Sequence, residues 1–178
     1  MICTGNICRS PMVEAFLRHR LEGLGVEAKV HSAGLLGPGN PAPHEGVSAL
    51  DAMGLDTSTH RSRRISEHLL TPADLILGMA REHVRETVRM APETWPRTFT
   101  LKELVRRGEE RGARPQDQSF EDWLAKLHAG RSHNDMVGYS PDDDVADPIG
   151  RGAAYYRRTA EELDDLVRRL VELGWGGS

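Results

Sequence analysis

The chain has 178 residues, which suits one domain with one sizeable core. Hydrophobic residues make up 38% and charged residues 28%, a globular composition that excludes a disordered chain, and a net charge of −4 argues against a general nucleic-acid binder. No apolar run approaches the roughly 18 residues of a membrane span, and nothing at the N-terminus reads as a signal peptide. Two cysteines suit a reducing compartment, the cytoplasm. Arginine accounts for 20 of the 23 basic residues, which we read as compositional bias rather than a site.

Only Met1 and Ile2 precede Cys3. A loop of the kind that follows normally leaves a buried parallel strand of about five apolar residues. The first strand therefore reads as truncated at residues 1–2, and the expectation is that Met1 is an internal methionine of a longer natural chain.

The loop itself is Cys3-Thr4-Gly5-Asn6-Ile7-Cys8-Arg9-Ser10-Pro11. Ser10 sits where an N-cap belongs and Pro11 at the first helical position. A glycine-containing turn that feeds a helix N-terminus aims several backbone N–H groups into one concavity, and the helix dipole adds to it. Arg9 supplies a planar fork for two phosphate oxygens. The same field favours the Cys3 thiolate, the reactive form. A lone cysteine is usually a small buried hydrophobe, but this order of neighbours points to an anion site with a nucleophile in it. A zinc site on Cys3 and Cys8 is disfavoured by the four residues between them and the lack of a nearby histidine.

Residues 11–24 read as the first helix, with Val13, Phe16, Leu17 and Leu21 on one face. Residues 27–32 alternate, with Ala28 and Val30 on one side, and read as a strand closed by Ser32-Ala33-Gly34. Residues 35–43 are a Gly/Pro-rich loop. Residues 43–53 read as a second helix with Val47, Leu50 and Met53 inward. The charge run from His60 to Arg64 reads equally as a solvated face or as part of a site. Residues 73–79 read as a buried parallel strand, 81–90 as a helix stopped by Pro92, 97–101 as a strand and 102–111 as a helix. Residues 112–138 read as an insertion carrying a surface helix, with Phe120, Trp123, Leu124 and Leu127 on one face and Ser119 as its cap. Residues 152–173 read as the last helix, with Leu163, Leu166, Leu170 and Leu173 packed.

Before that helix stands Asp142-Asp143-Asp144-Val145-Ala146-Asp147-Pro148. An acidic loop is usually solvated, but Asp147-Pro148 fixes one carboxylate at a rigid turn. Phosphoryl transfer to a thiolate needs such an acid to protonate the leaving oxygen. The order of elements implies an α/β fold: one domain over residues 1–178, an open parallel sheet of about four strands with helices on both faces. Such folds bind at the carboxyl ends of their strands, which puts the Cys3 and Asp147 loops on one rim.

The stretch Cys-x-Gly-Asn-Ile-Cys-Arg-Ser-Pro resembles the phosphate loop of the low-molecular-weight protein tyrosine phosphatases, in a bacterial form. The resemblance covers nearly the whole chain apart from residues 112–138. It implies phosphomonoester hydrolysis through a cysteinyl phosphate, with Cys3 as nucleophile, Arg9 and residues Thr4 to Ser10 binding the phosphate, and Asp147 as general acid. It implies that Ser10 stabilises the thiolate, that Asn6, Ser10, Ser32 and His60 fix the loop, and that Cys8 can bond to the nucleophile and shield it from irreversible oxidation. No cofactor or metal is implied. The implied partner is a phosphorylated protein, a bacterial tyrosine kinase among the candidates, and the implied assembly a monomer or weak dimer. Ile149 after the Asp-Pro and Leu35 and Leu36 after Ser32 stand where aromatic walls are expected, so the aryl pocket reads as aliphatic. Ile7 matches the tyrosine branch; the phosphoarginine branch carries Thr there. The alternatives are a protein arginine phosphatase, an arsenate reductase using an external thiol, and a non-catalytic phosphate-binding module.

Overall fold

The structure, a computed structural model, describes residues 1–176. Four parallel strands form one sheet in the order β2-β1-β3-β4. They are β1 (Ile2–Cys3), β2 (Ala33–Gly34), β3 (Ile76–Gly78) and β4 (Thr98–Thr100). Ile2 pairs with Ala33 on one side and Gly78 on the other, so the strand feeding the Cys3 loop is central. The helices are α1 (Arg9–Gly23), α2 (His44–Asp51), α3 (Glu67–Leu70), α4 (Arg81–Met90), α5 (Leu101–Arg111), α6 (Phe120–His128) and α7 (Ala153–Trp175).

Side chains alternate across the sheet. Cys3 and Leu77 face the larger core, which they share with Val13, Phe16, Leu104 and Leu163 from α1, α5 and α7. Ile2 and Ile76 face a smaller one with Ile65, Leu70 and Ala91. Both faces are therefore covered, as an all-parallel sheet requires.

Three expectations change. Residues 27–32 form no strand, and β2 begins only at Ala33. With Ile2 opposite Ala33, Met1 donates its N–H to the His31 carbonyl at 2.7 Å, but no ladder extends over residues 27–32, and alternation alone does not make a strand. They border instead a cleft of about 1060 Å³ lined by Met1, Val30, Leu69, Leu75 and Trp175 among others. The second helix is shorter than 43–53: Gly46, Ala49 and Leu50 face inward, while Met53 lies beyond its end and is exposed. The helix expected at the surface is part of the core: Trp123, Leu124 and Leu127 are buried, and Ser119 does cap it, accepting from the Asp122 N–H at 3.0 Å. Phe120 stacks near Trp175 at the end of α7 away from the Asp147 loop.

The chain after α6 returns to the rim under tight control. Arg131 makes a buried ion pair with Glu103 at 2.7 Å and lies over the rings of Trp95 and Phe99 at 3.9 and 4.0 Å. Beyond it, Arg85 and Arg81 bond the carbonyls of Met136 and Val137. No described helix is long and apolar enough to cross a membrane.

Candidate active site

The loop from Cys3 to Arg9 leaves β1 and turns directly into α1. Asn6 has a positive φ of 52°, a left-handed conformation that its short polar side chain tolerates. This turn brings the Asn6 N–H to 3.2 Å from Cys3 Sγ, while Ser10 Oγ lies 2.9 Å from the same sulfur. Both donate when the sulfur is a thiolate, and the α1 N-terminus adds its dipole. Cys3 is 2% exposed.

Ser10 is not an N-cap. The helix starts one residue earlier, at Arg9, with Cys8 at the cap position and no capping side chain. The Ser10 hydroxyl is committed elsewhere, to Cys3 and to Asn6 Nδ2 at 3.0 Å. Pro11 lies in the first turn, where its missing N–H leaves no bond unmade.

The Asn6 side chain is fully engaged. Its Nδ2 also donates to Ser32 Oγ at 2.8 Å, and its Oδ1 accepts from the Arg63 N–H at 2.8 Å. Its carbonyl accepts from His60 Nε2 at 2.7 Å. The structure thus brings Asn6, Ser10, Ser32 and His60 together, and His60 is half-buried against the loop rather than free at the surface.

Among the described residues, the N–H groups of Thr4, Gly5, Ile7, Cys8 and Arg9 find no acceptor. The buried Arg9 Nε has none either. Arg9 is 5% exposed; its other nitrogens donate to the Val145 carbonyl at 2.9 Å and to Asp147 Oδ2 at 2.5 Å. These six donors belong to the same short loop as the Cys3 sulfur, a donor set suited to an oxyanion. Asp147 stands at the mouth, its side chain 39% exposed and its Oδ1 accepting from the Ile149 N–H at 3.0 Å. Leu36 and Ile149, the aliphatic residues that stand where aromatic walls are expected, are each more than half exposed.

Cys8 is a free, buried thiol whose sulfur sits 3.5 Å from Tyr156 Oη. Burial pushes its pKa up to about 11, and the Tyr156 hydroxyl is raised too, by the same desolvation. Cys8 is therefore held protonated while Cys3 receives hydrogen bonds. Among the described residues no group of three or more His, Cys, Asp or Glu is placed to hold a metal.

Sequence reasoning missed three contributors. Gly34 ends β2 directly under the loop: a Cβ there would lie 2.8 Å from the Asn6 nitrogen and the Thr4 carbonyl oxygen. Only glycine permits this approach. We expect Gly34→Ala to displace the loop and lower kcat/KM on an aryl phosphate by about 100-fold, with far-UV circular dichroism unchanged; wild-type turnover would show that the loop does not depend on this contact. Asp143 and Asp144 are buried rather than solvated. Asp143 pairs with Arg81 at 2.7 Å and Arg106 at 2.8 Å. Asp144 accepts from the Arg81 N–H at 2.8 Å, tying the Asp147 loop to the start of α4. No local pattern announces these pairs, because the partners lie tens of residues away.

A family model described as low molecular weight phosphotyrosine protein phosphatase matches residues 1–122. Over 131 residues the chain is 37% identical to the probable low molecular weight protein-tyrosine-phosphatase EpsP of Ralstonia solanacearum, covering 73% of this chain and 88% of that one. Over 172 residues it is 30% identical to the protein-arginine-phosphatase of Bacillus subtilis, covering 96% and 92%. The crystal structure of a low molecular weight protein tyrosine phosphatase from T. tengcongensis superposes with a TM-score of 0.72 at 34% identity, covering 96% of this chain and 95% of that one.

Proposed function

The chain belongs to the low molecular weight phosphotyrosine protein phosphatase family, and on that premise we propose that it hydrolyses phosphotyrosine in proteins through a cysteinyl-phosphate intermediate. The observation that carries this reading is the convergence of Cys3 Sγ, the unpaired N–H groups of the loop, Arg9 and Asp147 at one point. The dianion takes the loop N–H groups and Arg9. The Cys3 sulfur attacks phosphorus in line, the S–P bond forms as the P–O bond to the leaving group breaks, and Asp147 gives that oxygen its proton. Asp147, now a carboxylate, takes a proton from water as the water oxygen attacks phosphorus and the S–P bond breaks. The preformed donors supply most of the rate, because they need no reorganisation as charge develops. The buried Cys8 thiol is near enough in sequence to serve as a reversible disulfide partner under oxidation.

Phosphotyrosine is favoured by Ile7, whose branched apolar side chain fits an aryl ring better than a guanidinium. The aliphatic Leu36 and Ile149, and the near full-length match to an arginine phosphatase, favour phosphoarginine as the second reading. A bacterial tyrosine kinase is a fitting protein substrate, a reducing cytoplasm fits the two free thiols, and a monomer or weak dimer is the proposed state. The deciding experiment compares kcat/KM on two peptides of one sequence, carrying phosphotyrosine or phosphoarginine. We expect a preference for phosphotyrosine of at least about tenfold; the reverse preference assigns the chain to arginine dephosphorylation.

A further inference from the structure

The phosphate loop is held from two sides. Its Asn6 arm is bonded to Cys3, Ser10, Ser32, His60 and Arg63. Its Thr4 arm meets a different group, His83, in the first turn of α4. His83 is fully buried, and its Nε2 lies 3.0 Å from Thr4 Oγ1. Among the described residues, the only other side chain at that hydroxyl is Glu82, with Oε1 at 3.5 Å. Gly78, the last residue of β3, makes the placement possible: a Cβ there would lie 3.0 Å from Val84 Cγ2 and 3.2 Å from His83 Cβ. With glycine at this point, the first turn of α4 beds onto the strand end and the imidazole reaches the loop.

The ring is uncharged. Burial, with the Arg9 guanidinium close by, pushes its pKa down to about 3. Its tautomer follows from its neighbours. Nδ1 has no partner among the described residues, and a buried N–H without an acceptor is the costlier orphan. Glu82 Oε1, 3.4 Å from Nε2, favours a proton on that nitrogen as well. The Nε2–H therefore donates to Thr4 Oγ1, whose own O–H is left to point toward Glu82. Packing alone does not account for an imidazole here: an apolar side chain of similar volume fills the space without leaving Nδ1 unpaired.

We propose that His83 is a positioning residue for phosphate binding: it fixes Thr4, and through Thr4 the N–H groups of Thr4 and Gly5, which close the cradle opposite Asn6. The inference deepens the phosphatase reading and rests on it for the identity of the bound anion. His83 touches neither the sulfur nor the anion; it acts through the loop.

The test uses the whole chain and inorganic phosphate as the probe, titrated by calorimetry so that no turnover is required, with kcat and KM on an aryl phosphate measured in parallel. His83→Leu and Thr4→Val each weaken phosphate binding and raise KM about tenfold, the effect of one lost hydrogen bond. His83→Gln, which keeps a donor near the Nε2 position, and Thr4→Ser, which keeps the hydroxyl, stay within about threefold of the unsubstituted chain. The double variant His83→Leu/Thr4→Val binds no more weakly than either single one, because both remove the same contact. Single effects that multiply in the double variant, or Thr4→Val binding phosphate like the unsubstituted chain, would overturn the proposal. Should His83→Leu fail to fold, the contrast between Thr4→Val and Thr4→Ser carries the test. Absence of Cys3-dependent turnover in the unsubstituted chain, with phosphate binding still weakened by Thr4→Val, would instead overturn the phosphatase reading and leave the role of His83 standing.

Discussion

Cys3→Ser is expected to abolish turnover of a small aryl phosphate, by about 10⁴-fold or more, and to leave phosphate binding nearly intact. The first half follows from what surrounds the sulfur. Its two neighbours within hydrogen-bond reach, the Asn6 N–H and the Ser10 hydroxyl, are arranged to stabilise an anion already formed. A thiolate uses them; a serine hydroxyl does not ionise at neutral pH and needs a base to take its proton. Among the described residues no base lies against it. Loss of a nucleophile that works as part of a unit removes nearly all of the chemical acceleration. The second half follows from where the binding groups are. Arg9 and the free N–H groups belong to the backbone and to α1, not to the sulfur, and oxygen is smaller than sulfur, so the cradle keeps its shape. Calorimetry with phosphate, beside a continuous assay, separates the two. Residual turnover within a hundredfold of the unsubstituted chain would place the nucleophile elsewhere, and joint loss of turnover and binding would show that the sulfur holds the loop together.

What was legible in the sequence is local. The Cys3 loop, the Asp-Pro at Asp147 and the packed face of the last helix can each be read within a window of about ten residues. The same is true of α4, whose bounds Arg81–Met90 match the expected ones because Pro92 stops it. Pairing was not legible. Residues 27–32 alternate like a strand, but a strand needs a ladder of neighbouring backbone groups, and beside this stretch Met1 offers a single N–H, to the His31 carbonyl. The fate of a hydroxyl was not legible either: Ser10 stands in the sequence like a cap, and only the positive φ of Asn6 shows that its oxygen belongs to the sulfur. The supports of the site were the least visible. Gly34 matters for the Cβ it lacks, and Asp144 for an N–H 63 residues away. Both became identifiable only once the chain had folded, whereas Cys3 and Arg9, the proposed nucleophile and phosphate ligand, carry a local signature because they share one loop.

Asp147→Asn is expected to lower kcat by about 10² to 10⁴-fold on an ordinary phosphotyrosyl peptide, the range for losing a general acid, and to tighten the binding of inorganic phosphate. The two effects have one origin. Asp147 Oδ2 lies 2.5 Å from an Arg9 nitrogen, so the carboxylate engages part of the fork that the phosphate needs. An arriving dianion must displace it and then tolerate a negative charge at the mouth of the cradle unless that carboxyl carries a proton. Asparagine keeps the shape and can still accept from the Ile149 N–H, but it removes the charge, so the competition for Arg9 falls and the repulsion disappears. It has no proton to give a leaving oxygen, which is the loss in kcat. That loss shrinks when the leaving group is a good one, because an acidic phenol departs as its anion without help. A leaving-group series on both proteins is therefore the sharpest measurement: the two rates converge as the phenol becomes more acidic, while the phosphate dissociation constant of the variant stays below that of the unsubstituted chain. An equal loss across the series would take the acid role away from Asp147 and leave it only as a partner of Arg9. Weaker phosphate binding in the variant would show that the Arg9–Asp147 pair orders the cradle rather than guarding it.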